Sequence, residues 1–111
     1  MKKKVDFLVI GSGIAGLFYA LKVSKFGKVA IISKENIDNT TTVKAQGGIA
    51  SVMYNPDSYD KHIEDTINAG AGLNNREVVE IVVKEGPTRV HDLINIGTHF
   101  DKDPSGAYDL G

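Results

Sequence analysis

A nearly unbroken apolar run, Val5-Asp6-Phe7-Leu8-Val9-Ile10, opens directly onto Gly11-Ser12-Gly13-Ile14-Ala15-Gly16 and then onto an amphipathic stretch. A run of that length and character predicts a strand in a parallel sheet covered on both faces. After the glycines, Ile14, Leu17, Phe18, Leu21 and Lys25 fall at helical spacing, with Leu17, Phe18 and Leu21 as the expected buried stripe. The helix is expected to end near Phe26-Gly27, with Gly27 as a left-handed cap. Val29-Ala30-Ile31-Ile32 reads as a second buried strand. The connection is long enough for a right-handed crossover, so the two strands are expected to be parallel neighbours.

Each glycine of the turn has a separate physical use. Gly11 permits a tight turn, Gly13 lets the backbone approach a pyrophosphate with no Cβ in between, and Gly16 lets the helix pack close to the strand. Backbone N–H groups at the start of the helix, with the positive end of its dipole, then meet the phosphate charge. Ser12 adds a hydroxyl. The plainer reading is a turn that only packs a helix on a strand, but packing alone does not call for all three glycines at this spacing. One common feature is missing. An acidic residue usually closes the second strand and binds the adenosine ribose. Here the strand ends Ile32-Ser33-Lys34, and Glu35 lies slightly too far on. Ser33 and Lys34 are better placed to reach the ribose.

Ser33 to Thr42 carries no apolar pattern and reads as a loop, and Ala45 to Met53 as a short helix entered through Gly47-Gly48. Asn55-Pro56-Asp57-Ser58 reads as a turn in which Asp57 or Ser58 caps the next helix. That helix, about 59 to 69, places Ile63 and Ile67 on one face, and Gly70-Ala71-Gly72 ends it. Asn74 or Asn75 caps another helix bearing Val78, Val79, Val82 and Val83. Pro87 is expected to interrupt it, with a further helix from about Thr88 to Asn95 closed by Gly97. Thr98 to Leu110 reads as a hairpin around Asp103-Pro104-Ser105-Gly106. The fold class is therefore α/β, a Rossmann-like βαβ unit followed by several helices and a short hairpin.

With 111 residues the chain has the length of one small domain. A net charge of -1 gives no reason to expect nucleic acid or an anionic membrane as partner. The absence of cysteine excludes disulfides, thiolate metal sites and a cysteine nucleophile within these residues. Met1-Lys2-Lys3-Lys4 looks like the start of a signal peptide, but the apolar run after it is too short and contains Asp6. No stretch approaches the roughly 20 apolar residues of a membrane helix. The expected location is the cytoplasm. His62, His91 and His99 have no metal-ligand spacing. His62, with Glu64 and Asp65 beside it, reads as a capping or ion-pairing residue rather than a catalytic one. No metal site and no catalytic residue is assigned.

Thr40-Thr41-Thr42-Val43-Lys44-Ala45-Gln46-Gly47-Gly48-Ile49-Ala50 is more discriminating. Hydroxyls, an amide side chain and two glycines suit close contact with a flat polar ring or a phosphate chain. A flavin ring needs partners at its polar edge and at N5, and backbone N–H groups can supply them. On residue chemistry alone, a threonine-rich surface loop followed by a helix start is an equally good account.

Gly11-Ser12-Gly13-Ile14-Ala15-Gly16-Leu17, Ser33-Lys34, Ala45-Gln46-Gly47-Gly48-Ile49-Ala50 and His62-Ile63-Glu64-Asp65-Thr66, followed by Ala69-Gly70-Ala71-Gly72, occur here in order. In this the chain resembles the flavoprotein family of succinate dehydrogenase, fumarate reductase and L-aspartate oxidase, and is most similar to the start of the aspartate oxidase branch. The resemblance covers essentially the whole chain. It implies FAD contacts at Ser12, Gly13, Ile14, Ala15, Lys34 and at Thr41, Thr42, Val43, Lys44, Ala45, Gln46, Gly47 and Gly48. Adding the glycine-turn and strand-end readings brings in Gly11, Gly16 and Ser33. Members that bind FAD covalently use a histidine four residues before Ala-Gln-Gly-Gly, where this chain has Thr41. Threonine cannot form that bond, so the resemblance implies noncovalent FAD.

The resemblance further implies oxidation of L-aspartate to iminoaspartate, with hydride passing to the flavin and oxygen or fumarate as final acceptor. The partners it implies are a small dicarboxylate substrate and a functional link to quinolinate synthase in NAD biosynthesis. Holding two carboxylates calls for fixed cations. Arg76 and Arg89 are the chain's two arginines, and both read as helix surface residues. The family's substrate-binding groups come later in its sequences. Residues 1–111 are thus expected to be the N-terminal portion of an FAD-binding domain, inactive alone. Three other readings stay open: another noncovalent fumarate reductase or succinate dehydrogenase-like flavoprotein, an NAD-dependent dehydrogenase sharing only the βαβ unit, and a noncatalytic interaction module.

Overall fold

The computed structural model describes residues 2–45 and 47–109, with the side chains of Ile37 and Thr41 outside the description. The chain divides into two compact units, Met1–Gly47 and Gly48–Gly111.

In the first unit, β1 (Phe7–Ile10) and β2 (Val29–Ile32) pair in parallel, in the register Phe7 to Val29 through Ile10 to Ile32. Helix α1 (Ile14–Val23) forms the crossover between them. The parallel βαβ reading is borne out, with three differences of detail. β1 starts at Phe7 because Asp6 is occupied otherwise: its carboxylate accepts the Lys28 N–H at 2.7 Å. Burial on β1 alternates, with Val9 buried and Leu8 and Ile10 exposed, so among the described residues only one face of the strand is covered. On α1 the buried residue is Ala20, flanked by half-buried Gly16, Leu17 and Val23, whereas Leu21 is exposed. Gly16 explains that choice. A Cβ there would run into the Gly11 carbonyl oxygen and come within 3.2 Å of Val9 Cγ1. A helix this close to the strand presents small residues to it.

Gly27 is not the expected left-handed cap. α1 ends at Val23, and the right-handed Ser24 donates its hydroxyl to Leu21 O at 2.8 Å. Gly27 answers a different need: a Cβ there would lie 2.6 Å from Asp6 Oδ2. The segment expected to be loop also contains structure. A 3-10 turn (Ile37–Asn39) leads into a short helix, α2 (Thr41–Lys44), capped by Thr40, whose hydroxyl accepts from Val43 N at 3.3 Å. The helix expected over Ala45–Met53 does not form in the described residues. Ala45 is already extended and Gly47 has a φ of +145°. Two adjacent glycines make helix continuation costly, so the turn falls upstream of them.

In the second unit, Ser58 caps α3 (Tyr59–Ala69) by accepting from Lys61 N at 3.2 Å. Asn75 caps α4 (Arg76–Asn95) by accepting from Val78 N at 3.2 Å. Between them Ala71 and Gly72 are both left-handed. α3 packs against α4, and Ile63 of α3 and Val83 of α4 are each almost fully buried. α4 runs through Pro87 without a break, contrary to the two helices expected. Its inward stripe is buried Val83 with half-buried Val79, Val90 and Ile94, leaving Val78 and Val82 exposed. The hairpin is present as an antiparallel bridge between Lys102 and Tyr108. Asp103 organises its turn, accepting at Oδ1 from Ser105 N at 2.8 Å, Ser105 Oγ at 2.6 Å and Ala107 N at 3.1 Å.

Candidate functional site

The first unit gathers most of the residues singled out in the sequence at one end of the two strands. Gly11 leaves β1 with a φ of +109°, a conformation that L side chains rarely adopt, and its N–H donates to Ile32 O at 2.8 Å. The turn is thereby fastened to the end of β2. Ser12 is 4% exposed, and its Oγ lies 2.8 Å from Ser33 Oγ. The hydroxyl counted as a phosphate contact is therefore engaged with Ser33. It ties the glycine turn to the first residue after β2.

Gly13 is the N-cap of α1 and offers no side-chain cap. The amides of a helix's first turn have no partners inside the helix. Ile14 N finds one elsewhere, donating to Thr42 Oγ1 at 3.2 Å. No acidic residue stands in the first turn of α1, so the positive end of the helix is not neutralised by its own sequence. Ala15 and Gly16 follow within that turn.

Lys34 is exposed just beyond Ser33, and Glu35 is exposed as well. Val43, Lys44, Ala45 and Gly47 are exposed along and after α2. Gln46 and the Thr41 side chain lie outside the described residues, and Gly48 begins the second unit. Gly11, Ser12, Gly13, Ile14, Ser33 and Thr42 are thus joined by hydrogen bonds or direct sequence contact. Sequence reasoning did not find the cross-links Ser12–Ser33 and Ile14–Thr42. Hydroxyl residues in the right segments were the only signal.

An adenine dinucleotide such as FAD needs donors for two phosphates, room for backbone approach, and no competing negative charge. The turn meets each requirement. It has a glycine N-cap without a side chain, no acidic residue in the first turn, and a second glycine, Gly11, two residues before the cap. The residues present fit the phosphate portion of FAD.

The second unit holds a shallow hollow of about 340 Å³ bordered by Tyr54, Asp103, Ala107, Tyr108 and Asp109. Its Asp103 carboxyl is held below the usual carboxylate range, first by the Ser105 hydroxyl and then by the backbone N–H groups of the turn. Those bonds are internal to the hairpin, so the shift reflects turn formation rather than catalysis. Arg76 is exposed and bridges α3 and α4 by pairing with Glu64 at 2.7 Å, which raises its pKa further. Arg89 pairs with Glu85 and Asp92 along α4. Both arginines are surface residues, as expected. Among the described residues no group of three His, Asp or Glu stands together as a metal site, and no helix is long and apolar enough to cross a membrane.

Known proteins share this arrangement. The chain is 50% identical to the chloroplastic L-aspartate oxidase of Oryza sativa over 97% of its own length and 17% of the relative's. It is 41% identical to the L-aspartate oxidase of Streptomyces coelicolor over 95% of its own length and 18% of the relative's. Among solved structures, a variant of the E. coli quinol fumarate reductase FrdA superposes with a TM-score of 0.87 at 32% identity, covering 96% of this chain and 19% of that one. The chain spans about a sixth of the length of the curated relatives it matches. Residues 6–111 match the family described as FAD binding domain. On that match across nearly its whole length, the chain belongs to the FAD binding domain family.

Proposed function

We propose that the chain is the N-terminal, cofactor-holding part of the FAD-binding domain of an L-aspartate oxidase, an enzyme that oxidises L-aspartate to iminoaspartate. The observation that carries this reading is identity of 41–50% to L-aspartate oxidases across nearly the whole chain. FAD, when bound, supplies the two-electron acceptor for the hydride leaving the substrate Cα. In this reading the amides of Gly13, Ala15 and Gly16 hold the pyrophosphate, Gly11 shapes the turn, and Ser12 fixes Ser33. Ser33 and Lys34 face the adenosine ribose. Thr41 to Gly48, with Thr42, Val43, Lys44, Ala45, Gln46 and Gly47 between, line the approach to the flavin. Threonine at position 41 supports noncovalent attachment.

Oxygen or fumarate takes the electrons in this reading, the substrate is a small dicarboxylate, and the product passes to quinolinate synthase in NAD biosynthesis. A cytoplasmic location goes with it, although the plant relatives are chloroplastic. A second reading, a fumarate reductase-like flavoprotein with noncovalent FAD, is favoured by the likeness to FrdA. Turnover by the full-length protein separates the two. Peroxide formation from L-aspartate in air is expected. Turnover of succinate or fumarate with no oxidation of aspartate would establish the second reading instead.

A further inference from the structure

The net charge of -1, which by itself gives no reason to expect a membrane partner, conceals a division of charge along the chain. The first unit carries eight lysines and no arginine against Asp6, Glu35 and Asp38, and the second unit is acidic. Most of the basic excess stands at one end of the first unit. Lys2, Lys3 and Lys4 lead into β1, Lys22 lies in the last turn of α1, and Lys25 and Lys28 lie between α1 and β2. All six are exposed. The backbone draws their segments together, Asp6 N donating to Lys28 O at 2.9 Å. Because β1 and β2 are parallel, this is the end of the strands away from the glycine turn. Asp6 is the carboxylate at this end, and it is engaged by the Lys28 N–H at 2.7 Å. Glu35 and Asp38 follow β2 at the other end. Among these lysines Phe26 is 72% exposed, with Lys25 Nζ 5.1 Å from its ring centre.

We propose that this lysine end, with Phe26 among the charges, is a docking surface for an anionic lipid bilayer. Such a surface asks for clustered positive charge without fixed direction, and for an apolar side chain that enters the headgroup region. Lysine, a compact charge on a flexible stem, suits that task. Arginine, whose planar fork suits carboxylates and phosphates in protein and nucleic-acid interfaces, is absent from the unit. A single-stranded nucleic acid is held by stacking successive bases on successive rings. At this end Phe26 is the exposed ring, Phe7 and Phe18 being half-buried. Lys22 and Lys25 also suit the negative end of the α1 dipole, but that role does not account for Lys2, Lys3 and Lys4. The glycine turn, at the opposite end of the strands, points away from a bilayer docked here. The surface is independent of which substrate the protein oxidises.

The test is co-sedimentation of the full-length protein with vesicles of phosphatidylcholine, alone or mixed with phosphatidylglycerol. Binding to the mixed vesicles only, weakening as salt is raised, is expected. Lys4→Ala combined with Lys25→Ala is expected to weaken that binding about tenfold or more, since each lysine near an anionic surface is worth about fivefold. Phe26→Ser is expected to weaken it at low and high salt alike, because salt does not screen the burial of a ring. Lys61→Ala combined with Lys84→Ala removes the same charge from α3 and α4 of the second unit and is expected to bind as wild type. Unchanged flavin content in each variant shows that it has folded. Failure to bind the mixed vesicles, or equal binding to both kinds, would overturn the proposal. So would wild-type binding by the Lys4 and Lys25 variant, or an equal loss in the Lys61 and Lys84 variant. Binding to polyuridylate with none to the mixed vesicles would overturn it in favour of a nucleic-acid surface.

Discussion

Single residues decide how the glycine turn is built, and the sequence shows some of them better than others. Gly16 is legible because a third glycine at that spacing has one dominant use. A Cβ there meets the Gly11 carbonyl, a backbone atom that cannot swing aside. Gly16→Ala is therefore expected to destabilise the chain by about 1–3 kcal/mol, the usual cost of overpacking, as read from urea unfolding. Gly27 is less legible because one letter serves two needs. A left-handed φ and a close neighbour both call for glycine, and here the neighbour is the Asp6 carboxylate. Asp103 gives a residue-scale pH effect. Its folded pKa lies below its unfolded one, so its contribution to the turn is complete above the unfolded value and is lost as pH falls through the folded value. The amide resonances of Ser105 and Ala107 are expected to titrate together below the ordinary carboxylate range, and Asp103→Asn to remove that titration. An ordinary aspartate midpoint would contradict the arrangement.

At the scale of elements, patterns with strong local signals were readable and those set by packing were not. β1, β2, α1 and α3 follow from apolar runs, caps and glycine punctuation, and each forms close to its expected bounds. α4 shows where local rules are overridden. Pro87 lacks the N–H that would reach the residue one turn back, which argues for a break. The chain nevertheless stays helical from Arg76 to Asn95, with Val83 before the proline and Val90 after it on one packed face. Burial of that continuous stripe outweighs one missing hydrogen bond. Pro87→Ala is accordingly expected to stabilise the chain by about 1–3 kcal/mol in urea unfolding, since proline is about 3 kcal/mol worse than alanine inside a helix. A loss of stability would show that the proline ring supplies packing that alanine cannot. α2 was missed for a different reason. Its few polar residues have no apolar period, and only the Thr40 cap and the Thr42 contact reveal why it forms.

For the whole molecule, the notable property is how little is buried. Among the described residues, Val9 and Ala20 are the buried apolar residues of the first unit, and Ile63 and Val83 those of the second. Ile10, Leu21, Phe26, Leu73 and Val82 are each more than half exposed. Cores of this size supply little stability. The 111-residue chain alone is expected to unfold at low denaturant, to bind apolar dyes, and to hold FAD weakly without oxidising aspartate. Robust peroxide production from aspartate by this chain alone would refute that. The glycine turn was readable because glycine spacing encodes backbone geometry directly. The proposed flavin contacts at Thr41 to Gly48 rest on the likeness of that segment to a known family, since no periodicity marks a ring-binding segment. The most direct test of the central claim is to purify the full-length protein, precipitate it with acid, and ask where the flavin goes. FAD released into the supernatant is the expected result. A protein without flavin, or flavin that stays with the precipitate, would contradict a noncovalent FAD site at Gly11 to Gly16 and Thr41 to Gly48.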